Sequence, residues 1–190
     1  MKKVLILLFI FVMSLSILGC GSDTPKETSS SSTTTSSTTE KNSTEKNSTD
    51  EIKWNKTVLD ATKNGNMPIA VKLVVEDNNL SAKAEDANPA DVMRRPFDYY
   101  GKVIAFTGEA YYLQDYPPES DFGKAFGGNV CEVVMMSGET IVDVIGQGTT
   151  TGIEKGQIVT LYGYPVGVTN VPNKVGGSFD QLIVIGVVGQ

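Results

Sequence analysis

The sequence predicts a mainly β domain in which five strands form a small barrel, with a short α/β extension before it and a disordered tether before that. Three observations support this prediction. From Gly101 onward, β-branched runs alternate with turn residues. Residues 21–50 contain no aliphatic or aromatic side chain, and Met1 is followed by two lysines and an apolar run. We therefore divide the chain into residues 1–19, 20–50, 51–100 and 101–190.

Composition excludes several classes of function. The 190 residues include 16 Lys and Arg against 22 Asp and Glu, two Cys and no His. Without histidine, hydrolases of the Ser-His-Asp or Cys-His kind, zinc hydrolases and haem proteins are poor candidates. The formal charge of −6 argues against a phosphate polymer as the main partner, because such binding depends on cationic side chains. We predict no enzymatic activity, no catalytic residue, no cofactor and no metal site.

The N-terminus has the pattern of an export signal. Residues 1–3 are positively charged, and Val4–Ile17 is an apolar run, too short for a spanning helix of roughly 20 residues. The run ends in Leu18, Gly19 and Cys20, which resembles the lipobox of bacterial lipoproteins. That resemblance implies that residues 1–19 are a signal peptide and that Cys20 carries diacylglycerol, often with palmitate. It also implies an exported chain, lipid-anchored and facing outside the cytoplasm; the alternative is an uncleaved anchor.

Residues 20–50 are predicted to be a disordered tether. Ser29–Thr39 is an unbroken Ser/Thr tract, and a Glu-Lys-Asn-Ser-Thr pentapeptide then occurs twice in tandem. With nothing apolar to bury, such a segment gains nothing that offsets the entropy of ordering it. As a flexible coil its ends would lie on the order of 30 Å apart. The folded domain is therefore expected close to the membrane but not on it.

Five strands are predicted after Gly101. Gly108 lies in the middle of the first and is expected to let it bend or bulge sharply. Ser137 and Gly138 give the clearest hairpin signal in the chain. The predicted strands are residues 102–113, 130–136, 139–145, 158–164 and 179–188.

Two motifs resemble the tRNA-anti-like OB-fold domains of bacterial lipoproteins. One is Pro96–Val103 leading into Phe106–Ala110, and the other is Glu154–Gly163. They match a tyrosine-glycine after a helical turn, a "V-x-F-x-G-x-V" strand and a later "G-D-x-V-x-V-x-G" strand, although Gln157 replaces the acidic residue. The resemblance implies a five-stranded OB-like barrel in which the helix between strands three and four is reduced to a turn. It does not by itself imply nucleic-acid binding.

The extension, residues 51–100, carries weaker patterns. We expect a short helix over Trp54–Thr62 and a strand over Ile69–Val75. Asn88 is predicted to cap a helix that starts at Pro89 and runs to Met93. The extension is expected to pack on the barrel, because 50 residues are few for a separate core.

For two further groups of residues we favour a structural explanation over a functional one. Cys131 lies in an alternating strand and, with Cys20 acylated, has no disulfide partner, so a buried inert thiol is expected. Asp115, Glu119 and Asp121 offer oxygen ligands for calcium but lack the spacing of a calcium loop. Solvated loop charges explain them better.

The function predicted from these patterns is binding at the cell envelope, to a protein, a peptide or a glycan. Aromatic side chains cluster at the end of the first strand and in the loop after it, and such side chains supply contact area at interfaces. Single-stranded nucleic acid is an alternative ligand for an OB fold, but residues 101–190 carry four lysines against nine acidic residues. A structural envelope role without a ligand is the other alternative. The predicted contact residues are Tyr111, Tyr112, Tyr116, Phe122 and Phe126; the alternative is that several of them are buried and cap the end of the barrel.

Overall fold

Strands dominate the described part of the chain, which in the computed structural model comprises residues 52–77 and 79–188. The signal peptide, the lipidated Cys20 and the tether predicted above lie outside these residues. The helices are α1 (Asn66–Glu76), α2 (Pro89–Arg94) and α3 (Asp121–Phe126), with single 3-10 turns at Ser81–Lys83 and Pro96–Asp98. The strands are β1 (Glu85–Asp86), β2 (Ile104–Tyr116), β3 (Val130–Ser137), β4 (Thr140–Gln147), β5 (Ile158–Pro172) and β6 (Ser178–Val187).

Five of the six strands are linked in a ring of hydrogen bonds. The strand order is β1-β2-β3-β4-β6-β5, and β5 pairs back with β2. β4 pairs with β6 in parallel, while the other pairs of the ring are antiparallel. The two-residue β1 adds a parallel pair on β2 outside the ring. The fold is therefore mainly β with a mixed sheet, which confirms the predicted class; we call β2, β3, β4, β6 and β5 the ring.

The inside of the ring is filled by one side-chain parity from each strand. In β3 and β4, for example, Val133 and Val142 are fully buried there, while residues of the other parity point outward. Val92 of α2 belongs to the same cluster and is also fully buried. The cluster is completed by Ile104, Phe106, Ala110, Cys131, Met135, Val144, Val159, Leu161, Leu182, Val184 and Val188.

A second cluster lies on the outside of the ring under α1 and α3. Ala70 and Val74, one helical turn apart on α1, are fully buried in the same cluster as outward residues of β5 and β6 such as Val166 and Ile185. Phe126 of α3 is part of the same cluster. We call these two helices the outer layer. They cover one portion of the outer surface of the sheet and leave another portion without a helix.

Two predictions about the extension are wrong. Ile69–Val75 was predicted as a strand because it is rich in β-branched residues, but it lies in α1, where its apolar residues have helical spacing. Trp54–Thr62 was predicted as a helix and is irregular. In it, the side chains of Asn55 and Asp60 accept hydrogen bonds from backbone N–H groups two residues onward, which competes with helix formation.

The predicted α2 is confirmed, β5 is longer than predicted, and α3 was not predicted. Asn88 Oδ1 accepts a hydrogen bond from the Ala90 N–H at 2.9 Å, which caps the helix. β5 runs eight residues beyond the predicted end at Tyr164, because a bulge between Pro165 and Gly167 accommodates the proline. The loop predicted between the first two strands contains α3, which is capped by the Ser120 hydroxyl and was missed.

The chain before the ring is fastened to β5. The Trp54 ring stacks on Tyr100 and on Tyr164, with centroid separations of 5.7 and 6.4 Å. Asn64 Nδ2 donates to the Val166 carbonyl at 2.6 Å, and the Ala61 N–H donates to the Val168 carbonyl at 3.0 Å. The extension therefore packs on the ring, as expected.

Candidate functional site

The five predicted aromatic contact residues do not share one surface. Tyr111 and Tyr112 are 56% and 43% exposed. Tyr116 and Phe122 are half-buried and pack on each other with their ring centroids 5.2 Å apart. Phe126 is 1% exposed and lies in the outer-layer cluster, so it has no surface to offer a ligand. The structure thus brings together Tyr111 with Tyr112, and separately Tyr116 with Phe122.

A β-bulge in β2 exposes both Tyr111 and Tyr112. Ala110 pairs with Met135 and Tyr112 pairs with Val134, so Tyr111 is an extra residue without a partner in β3. In a regular strand, two successive side chains point to opposite faces, and one of the two tyrosines would point inward. The bulge therefore explains why two adjacent tyrosines are both exposed.

The two tyrosines line a groove of about 360 Å³ on the outside of the ring. Its lining is almost entirely apolar or aromatic and comes from β2, β3, β4 and β6. Phe179 at the start of β6 is 37% exposed and closes the groove on the side opposite the tyrosines along the strand order. We call this groove the open face. Its lining residues are Tyr111, Tyr112, Val134, Met136, Ile141, Phe179 and Gln181, together with Met135, whose side chain fills the inside of the ring.

The open face is the part of the outer surface that the outer layer leaves uncovered. Along β4, the outward residues are Ile141, Asp143 and Ile145. Ile145 is packed in the outer-layer cluster, whereas Ile141 lines the groove. The apolar character of the strand therefore continues past the edge of the helices onto a surface with no protein cover in the described residues.

A polar cluster marks the boundary between the outer layer and the open face. The Tyr116 hydroxyl donates a short hydrogen bond to Glu132 Oε2. Gln181 Nε2 donates to Asp143 Oδ2 at 2.9 Å. Burial and the adjacent Glu132 carboxylate both raise the pKa of the Tyr116 phenol above its usual range. Tyr116 is therefore held as a hydrogen-bond donor next to the groove and lies outside its lining.

Asp143 is the unusual member of that cluster. Asp143 is 4% exposed, and its Oδ1 atom has no hydrogen-bond partner among the described residues. Burial, and to a smaller extent the negative charge of Glu132, together raise the pKa of the Asp143 carboxyl to about 7. A buried carboxyl that titrates near neutral pH beside a groove is typical of a functional site. No sequence pattern singles out this residue.

Cys131 lies inside the ring, fully buried. Burial raises the pKa of its thiol to about 12, with a smaller effect from Asp115. The thiolate needed for nucleophilic chemistry is therefore scarce at neutral pH. The prediction of a buried thiol is confirmed.

The acidic loop residues considered as calcium ligands have a structural environment. Asp115 accepts hydrogen bonds from the Thr150 N–H at 2.8 Å and from the Thr150 hydroxyl at 3.1 Å, which fastens the β4–β5 connection to the end of β2. Asp121 occupies the first turn of α3. Within residues 52–77 and 79–188, no group of three His, Cys, Asp or Glu side chains is placed to hold a metal ion.

A second apolar groove, of about 610 Å³, runs between α1 and α3. Phe122 lines it, together with Val71 and the 48% exposed Val75 of α1. Lys72, Glu76 and Asp121 at its margin give it charges of both signs. Of the predicted contact residues, it contains only Phe122, so most of the exposed aromatic surface lies in the open face.

The β3, β4 and β6 residues of the open face were not predicted from the sequence. One signal was present: β3 carries Val134 and Met136 at positions alternating with the buried Val133 and Met135. Apolar residues on both faces of a strand indicate that both faces are covered. Which part of the outer face a helix covers depends on α1, and α1 was predicted as a strand.

No protein-family model matches the chain, and neither a curated protein nor a solved structure matches it. In the described ranges, none of the helices is both long enough and apolar enough to cross a membrane.

Proposed function

We propose that this chain is a membrane-anchored extracytoplasmic lipoprotein whose domain binds a protein, peptide or glycan of the cell envelope through the open face. The anchor is the diacylglycerol on Cys20, and residues 21–50 are its tether. Support for the anchor comes from the positive start, the apolar run and the Gly19-Cys20 pair. Two acyl signals hold a protein on a membrane stably, whereas one chain alone is marginal.

We further propose that the ring is an OB-like barrel. Support comes from the strand order, in which the first strand of the ring pairs with both the second and the fourth, and the third pairs in parallel with the fifth. OB folds bind ligands on the face of their second and third strands and in the adjoining loops. The corresponding elements here are β3, β4 and the β5–β6 hairpin, and all three contribute to the open face.

The observation that carries the proposed binding function is the exposed aromatic and apolar lining of the open face. Tyr111, Tyr112 and Phe179 each keep more than a third of their surface exposed around one groove. Tyrosine combines a large apolar area with a hydroxyl, and burying it on a partner stabilises a complex at low entropic cost. A contiguous apolar surface of this kind marks an interaction site.

The charge of the ring supports a ligand other than nucleic acid. Residues 104–188 contain three lysines and nine acidic residues. Binding of a single nucleic-acid strand requires a positively charged groove next to the stacking aromatics. Here the aromatics are present and the positive charge is not.

The test compares two matched substitutions in the full chain, held in detergent micelles and immobilised. Tyr112→Ala truncates the open face, and Val75→Ala truncates an equally exposed apolar residue in the groove between α1 and α3. After incubation with envelope extract, we measure the protein, peptide and glycan bound per mole of chain. We expect Tyr112→Ala to reduce binding about tenfold or more, as for a residue central to an interface. Val75→Ala should bind as the wild type does.

Two results would contradict the proposal. Equal binding by wild type and Tyr112→Ala, with loss in Val75→Ala, would place the ligand between α1 and α3. Tight, salt-sensitive binding of single-stranded DNA in a parallel titration would favour the nucleic-acid alternative.

A further inference from the structure

We propose that the ligand of the open face is an extended peptide segment that places a lysine or arginine side chain against Asp143. This inference rests on the proposed function and adds the chemical class of the ligand. It follows from four features of the described residues: an unbalanced charge, an unpartnered buried carboxyl oxygen, the position of Gln181 and the apolar lining.

The acidic residues between positions 104 and 188 lack cationic partners in the described part of the chain. The described residues contain six ion pairs between side chains, and each of them uses an acid that precedes residue 104. No Lys or Arg nitrogen of the described chain lies within 4 Å of an acidic oxygen of residues 104–188. These acids are Glu109, Asp115, Glu119, Asp121, Glu132, Glu139, Asp143, Glu154 and Asp180.

Among these acids, Asp143 has the strongest requirement for a hydrogen-bonding partner. In the register it lies between Val134 of β3 and Ile183 of β6, within an apolar stretch of the outer surface. Its Oδ2 accepts a hydrogen bond from Gln181, and its Oδ1 has no partner among the residues that the structure describes. A buried acceptor without a donor is costly, and a donor brought by a ligand would remove that cost.

Glu132 and Gln181 define how a ligand would reach this carboxyl. Glu132 already accepts a hydrogen bond from the Tyr116 hydroxyl. Of the two neighbouring carboxyls, Asp143 is therefore the one with a buried oxygen, Oδ1, that is still free to accept a hydrogen bond among the described residues. Gln181 both donates to Asp143 and lines the open face, so the carboxyl lies directly behind a side chain of the groove. A rotation of that amide would open a path from the groove to Oδ1.

The apolar lining favours a peptide over a small free amine. Lysine and arginine pack their aliphatic stems on apolar surface while the charged head reaches a polar partner. Neighbouring side chains of an extended peptide would then cover Tyr112, Met136 and Phe179. A cationic head also interacts favourably with the face of a tyrosine ring. A simple amine would gain the charge interaction without burying this surface.

The test changes the charge on the peptide and, separately, the charge on the protein, and compares all combinations. The probe is a fluorescent pool of octapeptides with lysine fixed at the fourth position and apolar residues varied at alternating positions. Matched pools carry norleucine or glutamate instead of lysine. Anisotropy is measured with the full chain in micelles after subtracting binding to empty micelles, for the wild type, Asp143→Asn and Glu139→Gln. Glu139 is an exposed acid on the β3–β4 turn and serves as the matched control.

We expect the wild type to bind the lysine pool about tenfold or more tightly than the norleucine pool, as for a close charge pair. The glutamate pool should bind more weakly than either. Asp143→Asn should reduce the preference for lysine to about twofold or less, and Glu139→Gln should keep it. Asp143→Asn preserves side-chain shape and removes a buried charge, so it should fold; the comparison of pools on the wild type does not depend on any variant.

Three outcomes would overturn the inference, and they are distinguishable from failure of the proposed function. Equal binding of the lysine and norleucine pools, reduced by Tyr112→Ala, would leave the open face as the site and remove its charge selectivity. A lysine preference that persists in Asp143→Asn would assign selectivity to the general acidic surface. Binding of an envelope glycan that depends on Tyr112, with no pool bound, would exclude the peptide. If neither a peptide pool nor an envelope component binds the wild type in a way that Tyr112→Ala reduces, both proposals are overturned.

Discussion

Asp143 makes stability depend on pH in a direction opposite to most carboxyls. Folding raises the pKa of this carboxyl from 3.8 to about 7, mainly through burial. Between those values the folded chain holds a proton that the unfolded chain has released, so stability falls as pH rises from about 4 to about 7 and then levels. The effect on the free energy of unfolding is at most about 4 kcal/mol.

We therefore expect Asp143→Asn to become more stable relative to the wild type as pH rises through this window. Urea denaturation at several pH values between 4 and 8 measures the difference. Glu139→Gln, which removes a carboxyl at an exposed position, is the control, and the change in stability with pH is compared between the two variants. A constant difference for Asp143→Asn would show that the carboxyl is not buried.

At the residue scale, local patterns predict burial better than exposure. The alternation around Cys131 was sufficient to predict a buried thiol, because the strand there is regular. The exposure of both Tyr111 and Tyr112 depends on a bulge whose position follows from pairing with β3. Gly108 was expected to produce that bend, but the bulge lies three residues later. The carbonyl oxygen of Met136 would lie 2.5 Å from a Cβ at position 108, so this glycine permits close approach of β3.

At the element scale, three glycines in one row determine how closely β4, β6 and β5 approach. Gly146 pairs with Gly186, and Gly186 pairs with Gly163. A Cβ at position 186 would lie 2.1 Å from the carbonyl oxygen of Tyr162, which is backbone and yields little. The row therefore has no room for side chains where these three strands meet.

We expect Gly186→Ala to destabilise the fold by about 1–3 kcal/mol or more, because the strands must separate to admit the methyl group. The midpoint of urea denaturation checks this. Gly128→Ala is the matched control, since a Cβ at that position meets nothing within 4 Å. Equal midpoints for Gly186→Ala and the wild type would contradict the close approach of β6 to β5.

Elements defined by local chemistry were predictable, and those defined by tertiary packing were not. The cap at Asn88 followed by Pro89 specifies α2 without reference to the rest of the fold. The β-branched residues of α1 favour a strand locally, but burial of one helical face against β5 and β6 stabilises a helix instead. For α3, the signals were present in Ser120 and in Gly127, which adopts a positive φ of 72° at the helix end.

At the scale of the whole molecule, the ring closure was not visible in local patterns. The parallel pairing of β4 with β6 joins strands about 40 residues apart. The resemblance to OB-fold domains implied a barrel, and this pair was not predicted. The open face depends on the same long-range arrangement, since the ring, α1 and the β5–β6 hairpin all determine its borders. This is why two of its tyrosines were predicted from the sequence and the rest of its lining was not.

The start of the folded region gives a prediction for limited proteolysis. Trp54 stacks on Tyr100 and Tyr164, and the Asn66 side chain accepts a hydrogen bond from the Asn55 N–H at 2.8 Å. We expect protease to remove the residues before about position 51 and to stop there. In Trp54→Ala the limit should move toward Asp60, where the chain next pairs with β5. N-terminal sequencing of the resistant fragments measures both limits; identical limits would show that Trp54 does not fasten the segment.

The proposed anchor gives a prediction for the chain in cells. Cys20→Ser removes the thiol that would carry diacylglycerol, so labelling by a fatty-acid analogue should be lost. The protein should then be released in soluble form or accumulate as unprocessed precursor. Cys131→Ser is the control and should label as the wild type does, because Cys131 is buried within the ring. Continued labelling of Cys20→Ser would contradict the lipid anchor.

The central claim, that the open face is the binding surface, is tested most directly by site-specific photo-crosslinking in living cells. A benzophenone side chain replaces Tyr112 in one variant and Val75 in another, so that one probe lies in the open face and the other between α1 and α3. The account predicts a defined adduct from position 112, lost when Phe179→Ala is added, and none from position 75. An adduct from position 75 alone, or none from position 112 in folded, anchored protein, would contradict it.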